Sequence, residues 1–222
     1  MKISSLLLLP IFLAAAVFTA NAAEKKPMNE TNASAKSAGS HLETITMGGG
    51  CFWCMEAVFQ RLVGVKKVVS GFSGGKGENP SYKEVCTGDT GHAEVVQIQF
   101  DPQKLPLAKL LEVFFAAHDP TTLNRQGHDV GTQYRSVLFY ENDAQKAEME
   151  KAKAAAQKDF KDPIVTEIVP FKAFYSAEAY HQDYFNQNAN SNPYCSVVIR
   201  PKLRKLLDHG LIQEETVADE PK

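Results

Sequence analysis

The segment 93–100 constrains the fold most, because its side chains divide cleanly between two faces. One face carries Val96, Ile98 and Phe100, and it is apolar apart from Glu94 at its start. This two-residue period is typical of a β-strand with one face on a hydrophobic core. An Asp-Pro pair follows directly and ends the strand. The sequence therefore predicts a sheet that carries one carboxyl side chain on its core face.

The remaining patterns mix strands and helices without strict alternation. With 222 residues, the chain is long enough for one well-buried domain and too short for two of ordinary size. We predict an α+β domain of two layers with a mostly antiparallel sheet. Strands are predicted at 41–47, 65–72, 135–140 and 164–169, and helices at 54–62, 81–85, 107–118, 143–160, 177–188 and 202–207.

The first residues have the pattern of a cleaved secretory signal. Lys2 precedes a short apolar run at 6–18, and an Ala-Asn-Ala site ends at Ala22, after which we predict cleavage. An uncleaved membrane anchor is the alternative, but the run is short for a bilayer. Residues 23–40 are polar and lack any apolar period, so they are predicted to form a disordered linker. The folded domain is predicted at 41–222. The signal predicts export to the periplasm, without stable membrane insertion after cleavage.

Charge and cysteine content narrow the classes of function. The formal net charge of −2 offers no basic field for nucleic acid. Export would place Cys51, Cys54, Cys86 and Cys195 in an oxidising compartment, where three fully paired connectivities are possible. A chain of this length does not need disulfides to fold, so redox or catalytic roles compete with structural ones.

Cys51 lies between a predicted strand with its glycine turn and a predicted helix. The N–H groups and partial positive charge of a helix N-terminus favour a thiolate over a thiol. Three glycines at 48–50 allow the backbone to approach a ligand closely. Cys51 is therefore a candidate nucleophile, with a buried structural cysteine as the alternative.

The pair Cys51-x-x-Cys54 admits two further interpretations. Thioredoxin-like oxidoreductases carry such a pair at a helix N-terminus, which would make the protein a disulfide exchanger. A CxxC pair is also half of a zinc site, but no second pair follows it in the sequence. We therefore predict no metal.

Glu94 is a candidate acid. A carboxyl group on an apolar face is partly desolvated, so its pKa should rise and it can stay protonated near neutral pH, as a general acid requires. The alternative is a solvated carboxylate at a frayed strand end.

Several segments together resemble the signatures of the peptide methionine sulfoxide reductase A family. They are Gly-Cys-Phe-Trp-Cys at 50–54, Gly-His-Ala-Glu-Val-Val at 91–96, and two parts of a long loop at 118–127 and 129–136. The similarity runs in order from about residue 45 to 206. It implies an α+β fold on a ferredoxin-like core.

The resemblance also implies residue roles. Cys51 matches the nucleophile, and Glu94 matches the acid that protonates the sulfoxide oxygen. Phe52 and Trp53 match the aromatic wall that holds the substrate methyl group. The polar groups around the sulfoxide oxygen match Tyr82, Asp129 and Tyr134.

The implied reaction reduces methionine S-sulfoxide, free or in oxidised proteins, and leaves a sulfenic acid on Cys51. A second thiol then forms a disulfide, which an external thioredoxin-like dithiol reduces without a bound cofactor. The family pattern places this second thiol in a Gly-rich C-terminal segment, whereas residues 192–199 here contain no glycine. Cys195 is the first choice because it lies in a tail that could move, and Cys54 and Cys86 remain alternatives. A monomer is the default expectation.

Overall fold

A computed structural model describes residues 42–213 of the chain. The predicted signal segment at 1–22, the predicted linker at 23–40 and the last nine residues lie outside the described residues. The strands are β1 (Glu43–Gly49), β2 (Val65–Ser73), β3 (Ala93–Phe100), β4 (Arg125–Gln126), β5 (Asp129–Val130), β6 (Ser136–Tyr140), β7 (Glu167–Pro170) and β8 (Phe174–Ser176). The α-helices are α1 (Phe52–Phe59), α2 (Tyr82–Cys86), α3 (Leu107–Ala117), α4 (Asp143–Ala156), α5 (Tyr184–Asn188) and α6 (Arg200–Asp208).

Six strands form one sheet in the order β7-β6-β1-β3-β2-β8. Every neighbouring pair is antiparallel except β6 with β7, which is parallel. Strand β1 lies in the middle, with Met47 opposite Val96 of β3 and Gly49 opposite Ser136 of β6. The predicted α+β class with a mainly antiparallel sheet is confirmed.

The phase predicted for β3 is also correct. Val96, Ile98 and Phe100 are fully buried in the main core, where α1 packs against β1, β2 and β3. Glu94 is on the same face and is 1% exposed. The opposite face of the sheet carries a smaller cluster that includes Val95. Because both faces are covered, the Glu94 carboxyl group is largely withdrawn from bulk water.

Several predicted elements have other bounds in the structure, and the helix predicted at 54–62 runs from Phe52 to Phe59. The helix predicted at 177–188 is replaced by a 3-10 turn at Ala179–His181 and the short α5. Asp183 breaks it by adopting a left-handed conformation with φ 52°, which a continuous helix cannot contain. The helix predicted at 143–160 ends at Ala156 and continues as a 3-10 turn. The strand predicted at 164–169 begins three residues later, at Glu167.

The predicted movable tail after Asn192 is helical in the described part of the chain. Cys195–Ile199 form a π-helix that leads directly into α6. Cys195, Ile199 and Leu206 are buried in the main core, because this segment packs against α1. Within residues 42–213, no helix combines the length and hydrophobicity needed to cross a bilayer.

The turn between β1 and α1 depends on Gly50. Its φ is 93°, a conformation that other L-residues rarely adopt. A Cβ atom at this position would also lie 2.6 Å from the side chain of Gln126. Glycine at position 50 therefore lets the chain turn here, and present Cys51 to the start of α1, without backbone strain or a clash.

Replacing Gly50 with Ala is expected to lower the free energy of unfolding more than Gly77→Ala does. Both glycines have a similar positive φ, 93° and 83°, but a Cβ at Gly77 would meet nothing within 4 Å. The difference isolates the Gln126 contact and should be roughly 1–3 kcal/mol, as for other overpacked sites. Urea denaturation of the two variants measures it. Equal losses would show that Gln126 does not restrict this turn.

Candidate active site

Cys51 is the N-cap residue of α1. Its φ and ψ of −56° and 124° lie outside the helix, while its carbonyl oxygen accepts from the N–H groups of Cys54 and Met55 at 3.1 and 3.3 Å. The Cys51 side chain is 8% exposed. The thiol is therefore held at the entrance of a helix, with little contact with solvent.

Glu94 is joined to the same turn. Its Oε2 accepts a hydrogen bond from the N–H of Phe52, the residue after Cys51, at 3.0 Å. Burial raises the pKa of Glu94 to about 8, and the negative charges of Asp129 and Cys54 act in the same direction. The Phe52 N–H opposes this rise without cancelling it. Glu94 is therefore mostly protonated at neutral pH and can act as an acid.

The raised pKa of Glu94 has a consequence for stability. Its carboxyl group titrates near 4.5 when unfolded and near 8 when folded, so the folded state binds more protons in between. The free energy of unfolding of the wild type should therefore fall, relative to Glu94→Gln, as pH rises from about 4.5 to 8, and then level off. Denaturant titrations at several pH values test this. A difference independent of pH would show that Glu94 titrates normally.

A small cavity of about 130 Å³ collects most of the predicted site residues. A cavity of about 150 Å³ accommodates a benzene molecule, so this one suits the end of a single side chain. Its lining consists of Cys51, Phe52, Trp53, Tyr82, Glu94, Asp129, Tyr134 and Tyr194. Seven of these eight residues were predicted from the sequence. Tyr194 was not, and the predicted Cys195 does not line the cavity.

Two phenol groups face this cavity, from Tyr82 at the start of α2 and from Tyr134 in a 3-10 turn. Burial raises the pKa of both tyrosines, and the charge of Glu94 raises them further. Both phenols therefore stay protonated and can donate hydrogen bonds to an oxygen atom in the cavity. Asp129 accepts a hydrogen bond from the hydroxyl of Tyr194 at 2.9 Å.

The aromatic wall is fixed by residues that the sequence did not assign to the site. The Trp53 ring stacks on Tyr184 with centroids 3.6 Å apart and an angle of 6° between the planes. The indole N–H of Trp53 donates to Nδ1 of His181 at 3.1 Å. His181 is 1% exposed, and burial lowers its pKa. It is therefore a neutral acceptor that sets the orientation of the indole.

His181→Phe should weaken substrate binding, because Phe preserves the ring contacts but cannot accept from Trp53. We expect KM to rise more than kcat falls. The rise in KM should be roughly tenfold, which corresponds to the net 1–1.5 kcal/mol of one hydrogen bond. Trp53 is the only tryptophan in the sequence, so its fluorescence reports the same change directly. His209→Phe, at an exposed position beyond α6, is the matched control. Unchanged emission and KM in the His181 variant would contradict this role.

Other residues considered from the sequence lie elsewhere. His118 is buried behind the glycine turn, where Nδ1 contacts the carbonyl oxygen of Phe114 at 2.8 Å and Nε2 contacts Ser136 at 2.7 Å. Burial lowers its pKa to about 4, so it is neutral and structural. Tyr180 is 60% exposed, so it does not pack in the core.

The two nearest thiols influence each other. Burial raises the pKa of the Cys51 thiol, and its hydrogen-bonded neighbour Cys54 raises it further. The same hydrogen bond lowers the pKa of Cys54 to about 7. The sequence predicted a thiolate at Cys51 from the helix N-terminus alone. In the folded chain, the lower pKa of the pair belongs to Cys54 instead.

Other candidate sites received no support within residues 42–213. No group of three His, Cys, Asp or Glu side chains is arranged there to hold a metal ion. A larger groove of about 1060 Å³ lies among α3, α4 and α6, and none of the predicted catalytic residues lines it. The chemistry therefore belongs to the small cavity.

The fold and site define a class of protein: a cysteine-dependent enzyme with a buried carboxylic acid beside its nucleophile. Comparison with known proteins specifies it further. Residues 43–215 match the family model described as peptide methionine sulfoxide reductase. The chain belongs to the peptide methionine sulfoxide reductase family.

Individual relatives agree with this assignment. The peptide methionine sulfoxide reductase MsrA of Sulfolobus acidocaldarius is 54% identical over 166 residues, which cover 75% of this chain and 94% of the relative. The peptide methionine sulfoxide reductase MsrA of Trichodesmium erythraeum is 54% identical over 167 residues, which cover 74% of this chain and 94% of the relative.

Two solved structures are also similar. Mxr1 from Saccharomyces cerevisiae in reduced form has a TM-score of 0.65 and 40% identity, covering 68% of this chain and 88% of that one. Methionine sulfoxide reductase A of Corynebacterium diphtheriae has a TM-score of 0.60 and 37% identity, and the match covers 66% of this chain and 75% of that one.

Proposed function

We propose that the protein reduces methionine S-sulfoxide, free and in damaged proteins, to methionine. The observation that carries this proposal is the hydrogen bond between Glu94 and the backbone of Phe52, which holds a protonated acid beside the nucleophile Cys51. Family membership supplies the reaction class.

The cavity explains how the substrate is held. Phe52 and Trp53 form an apolar surface for the S-methyl group, which aromatic rings recognise through shape and sulfur contact. The phenols of Tyr82 and Tyr134 donate to the sulfoxide oxygen. Asp129 orients the same region through Tyr194. Because these donors are already in place, little reorganisation is needed as charge develops on the oxygen.

The chemical step uses the two buried groups together. Glu94 donates its proton to the sulfoxide oxygen, which becomes a better leaving group. The sulfur of Cys51 attacks and gives up its own proton, which restores the acid. The S–O bond of the substrate breaks, and its oxygen passes with the proton from Glu94 to the sulfur of Cys51. The substrate sulfur gains two electrons and leaves as methionine, while Cys51 becomes a sulfenic acid.

Regeneration needs thiols and no bound cofactor. We propose that Cys195 takes part in an intramolecular disulfide, which an external thioredoxin-like dithiol then reduces. The buried π-helix around Cys195 implies that its segment must open during this step. A position next to Tyr194, which contacts both Asp129 and Cys54, supports the proposal, because movement of this segment is coupled to the cavity.

The direct experiment follows methionine formation from each sulfoxide epimer with dithiothreitol as reductant. The S epimer should be reduced and the R epimer should not. A parallel assay of insulin reduction tests the thioredoxin-like alternative, which requires activity there. Insulin reduction without methionine formation would overturn the proposal in favour of a disulfide exchanger.

We also propose export to the periplasm as a monomer, with residues 1–22 as signal, 23–40 as linker and 41–222 as the reductase domain. The charged start, apolar run and Ala-Asn-Ala site support this. Cell fractionation and N-terminal sequencing test it, with Ala23 as the expected first residue. Full-length protein in the cytoplasm would contradict it.

A ferredoxin-like core is proposed as well. The adjacent strands β6-β1-β3-β2, with α1 between β1 and β2 and α3 between β3 and β6, are consistent with that βαββαβ pattern. This arrangement brings the end of β1, the start of α1 and the start of β3 to one place.

A further inference from the structure

We propose that Cys54 is the first resolving thiol: it attacks the sulfenic acid on Cys51, and the resulting disulfide is passed on to Cys195. This inference rests on the proposed function, which supplies the sulfenic acid. It assigns a role to a cysteine that neither substrate binding nor the first chemical step requires.

The geometry of the helix start favours this pair. Cys51 is the N-cap residue and Cys54 the third residue of α1, and both side chains are buried, at 8% and 3% exposure. Side chains three residues apart on a helix have Cβ atoms about 5–6 Å apart, and a disulfide requires about 3.5–4.5 Å. A closure of about 1–2 Å is therefore sufficient. This bond need not unwind the first turn of α1, because Cys51 lies outside the helix and its backbone can adjust.

The other two thiols are less well placed for the first attack. Cys195 is fully buried at the start of the π-helix, so its segment must open before its sulfur can reach Cys51. Tyr194 holds that segment closed through Asp129 at 2.9 Å and Cys54 at 3.8 Å. Cys86 is exposed on α2, does not line the cavity and has its hydrogen bond to Tyr82. Among the four cysteines, Cys54 is the one that shares the first turn of α1 with Cys51, so it needs only the small local closure described above.

The charges around Cys54 support its role as attacking thiol. The hydrogen bond from Cys51 and the positive charge of Lys202 lower the pKa of Cys54 to about 7, so a substantial thiolate fraction exists at neutral pH. A thiol with a pKa near the ambient pH is the most effective attacker. The charge of Cys54 in turn raises the pKa of Cys195, so these two groups lie within electrostatic range.

Two thiol exchanges regenerate Cys51. The Cys54 sulfur attacks the sulfur of the Cys51 sulfenic acid, the S–O bond breaks, and the oxygen leaves as water with the proton of Cys54. Cys195 then attacks the sulfur of Cys54, which releases Cys51 as a thiol and forms a Cys54–Cys195 disulfide. The external dithiol supplies two electrons and two protons to reduce that disulfide. After the second step, Cys51 is free to react again.

The release of Cys51 can be counted when no external reductant is present. Fully reduced protein is mixed with excess methionine S-sulfoxide, and methionine is counted per chain. The wild type should yield two methionines, because Cys51 is released once. Cys195→Ser should yield one and accumulate a Cys51–Cys54 disulfide, and Cys54→Ser should also yield one. Cys86→Ser is the matched control, with a disulfide map like that of the wild type.

Trapping of Cys51 with a sulfenic-acid reagent measures the order of events. In Cys54→Ser the sulfenic acid should persist at least about tenfold longer than in the wild type. The remaining attacker is then Cys195, and its buried π-helix must open locally first. Rapid quenching of the wild type should show Cys51–Cys54 before Cys54–Cys195, and this measurement needs no variant.

Two results would overturn the inference and leave the proposed function standing. The first is a sulfenic acid in Cys54→Ser that converts to a Cys51–Cys195 bond as fast as the sulfenic acid disappears in the wild type. The second is a Cys51–Cys195 bond that forms before any other disulfide in the wild type. Failure of the wild type to produce any methionine would overturn the proposed function and the inference with it.

Discussion

Replacing Cys51 with Ser should abolish methionine formation. The sulfoxide sulfur is reduced only if the attacking atom is oxidised. The hydroxyl oxygen of Ser cannot be oxidised in the way the Cys sulfur is, so no slower form of the reaction remains. Loss of an enzyme nucleophile has cost about 10⁶-fold in another system, and we expect activity here to fall below detection. A steady-state assay with dithiothreitol and the S epimer measures it.

Cys86→Ser is the control for Cys51→Ser, since Cys86 is an exposed thiol that does not line the cavity. Circular dichroism should show that both variants fold, because Ser is smaller than Cys and leaves the hydrogen bonds of the Cys51 backbone intact. Activity that survives in Cys51→Ser but fails in another cysteine variant would move the nucleophile elsewhere.

Replacing Glu94 with Gln should slow the reaction by about 10²–10⁴-fold, the usual contribution of a general acid. The carboxamide can still accept from the Phe52 N–H and can donate a hydrogen bond, but it cannot transfer a proton. The variant therefore separates proton transfer from positioning. Single-turnover rates of methionine release measure the effect without interference from regeneration.

The pH dependence gives a second signature of Glu94. Its pKa of about 8 means that the protonated form is lost as pH rises through 8, so the wild-type rate should fall there. The Glu94→Gln rate should show no such loss. Glu56→Gln is the control: Glu56 is also a buried carboxyl with a raised pKa, but it accepts from the Tyr184 N–H outside the cavity. A wild-type decline that persists in Glu94→Gln would assign the titration to another group.

The parts of the site that follow local patterns were predictable from the sequence. The two-residue period of β3 placed Glu94 on the core face, and the glycines before Cys51 marked the turn into α1. Both features depend on residues close in the chain, where backbone geometry determines the direction of side chains. The depressed pKa of Cys54 could not be predicted in this way, because its largest cause is the hydrogen bond with Cys51 inside the folded turn, to which the charge of Lys202 from a helix far along the chain adds.

The supporting residues were missed for a related reason. His181, Tyr184 and Tyr194 reach the site only through tertiary contacts, and their local pattern suggested an ordinary helix and a loose tail. Asp183 interrupts that helix and turns Tyr184 toward Trp53. Aromatic residues at 180–184 and at 194 were a weak signal, since the same composition is typical of core packing.

The most direct test of the account is the identity of the oxidised atom after one turnover. In a Cys54→Ser, Cys195→Ser double variant, excess methionine S-sulfoxide should give one methionine per chain and one sulfenic acid, which a trapping reagent locates at Cys51 by mass spectrometry. The R epimer should give neither product. Methionine released with Cys51 still a free thiol, or with the trapped sulfenic acid on another residue, would contradict the assignment of Cys51 as the nucleophile.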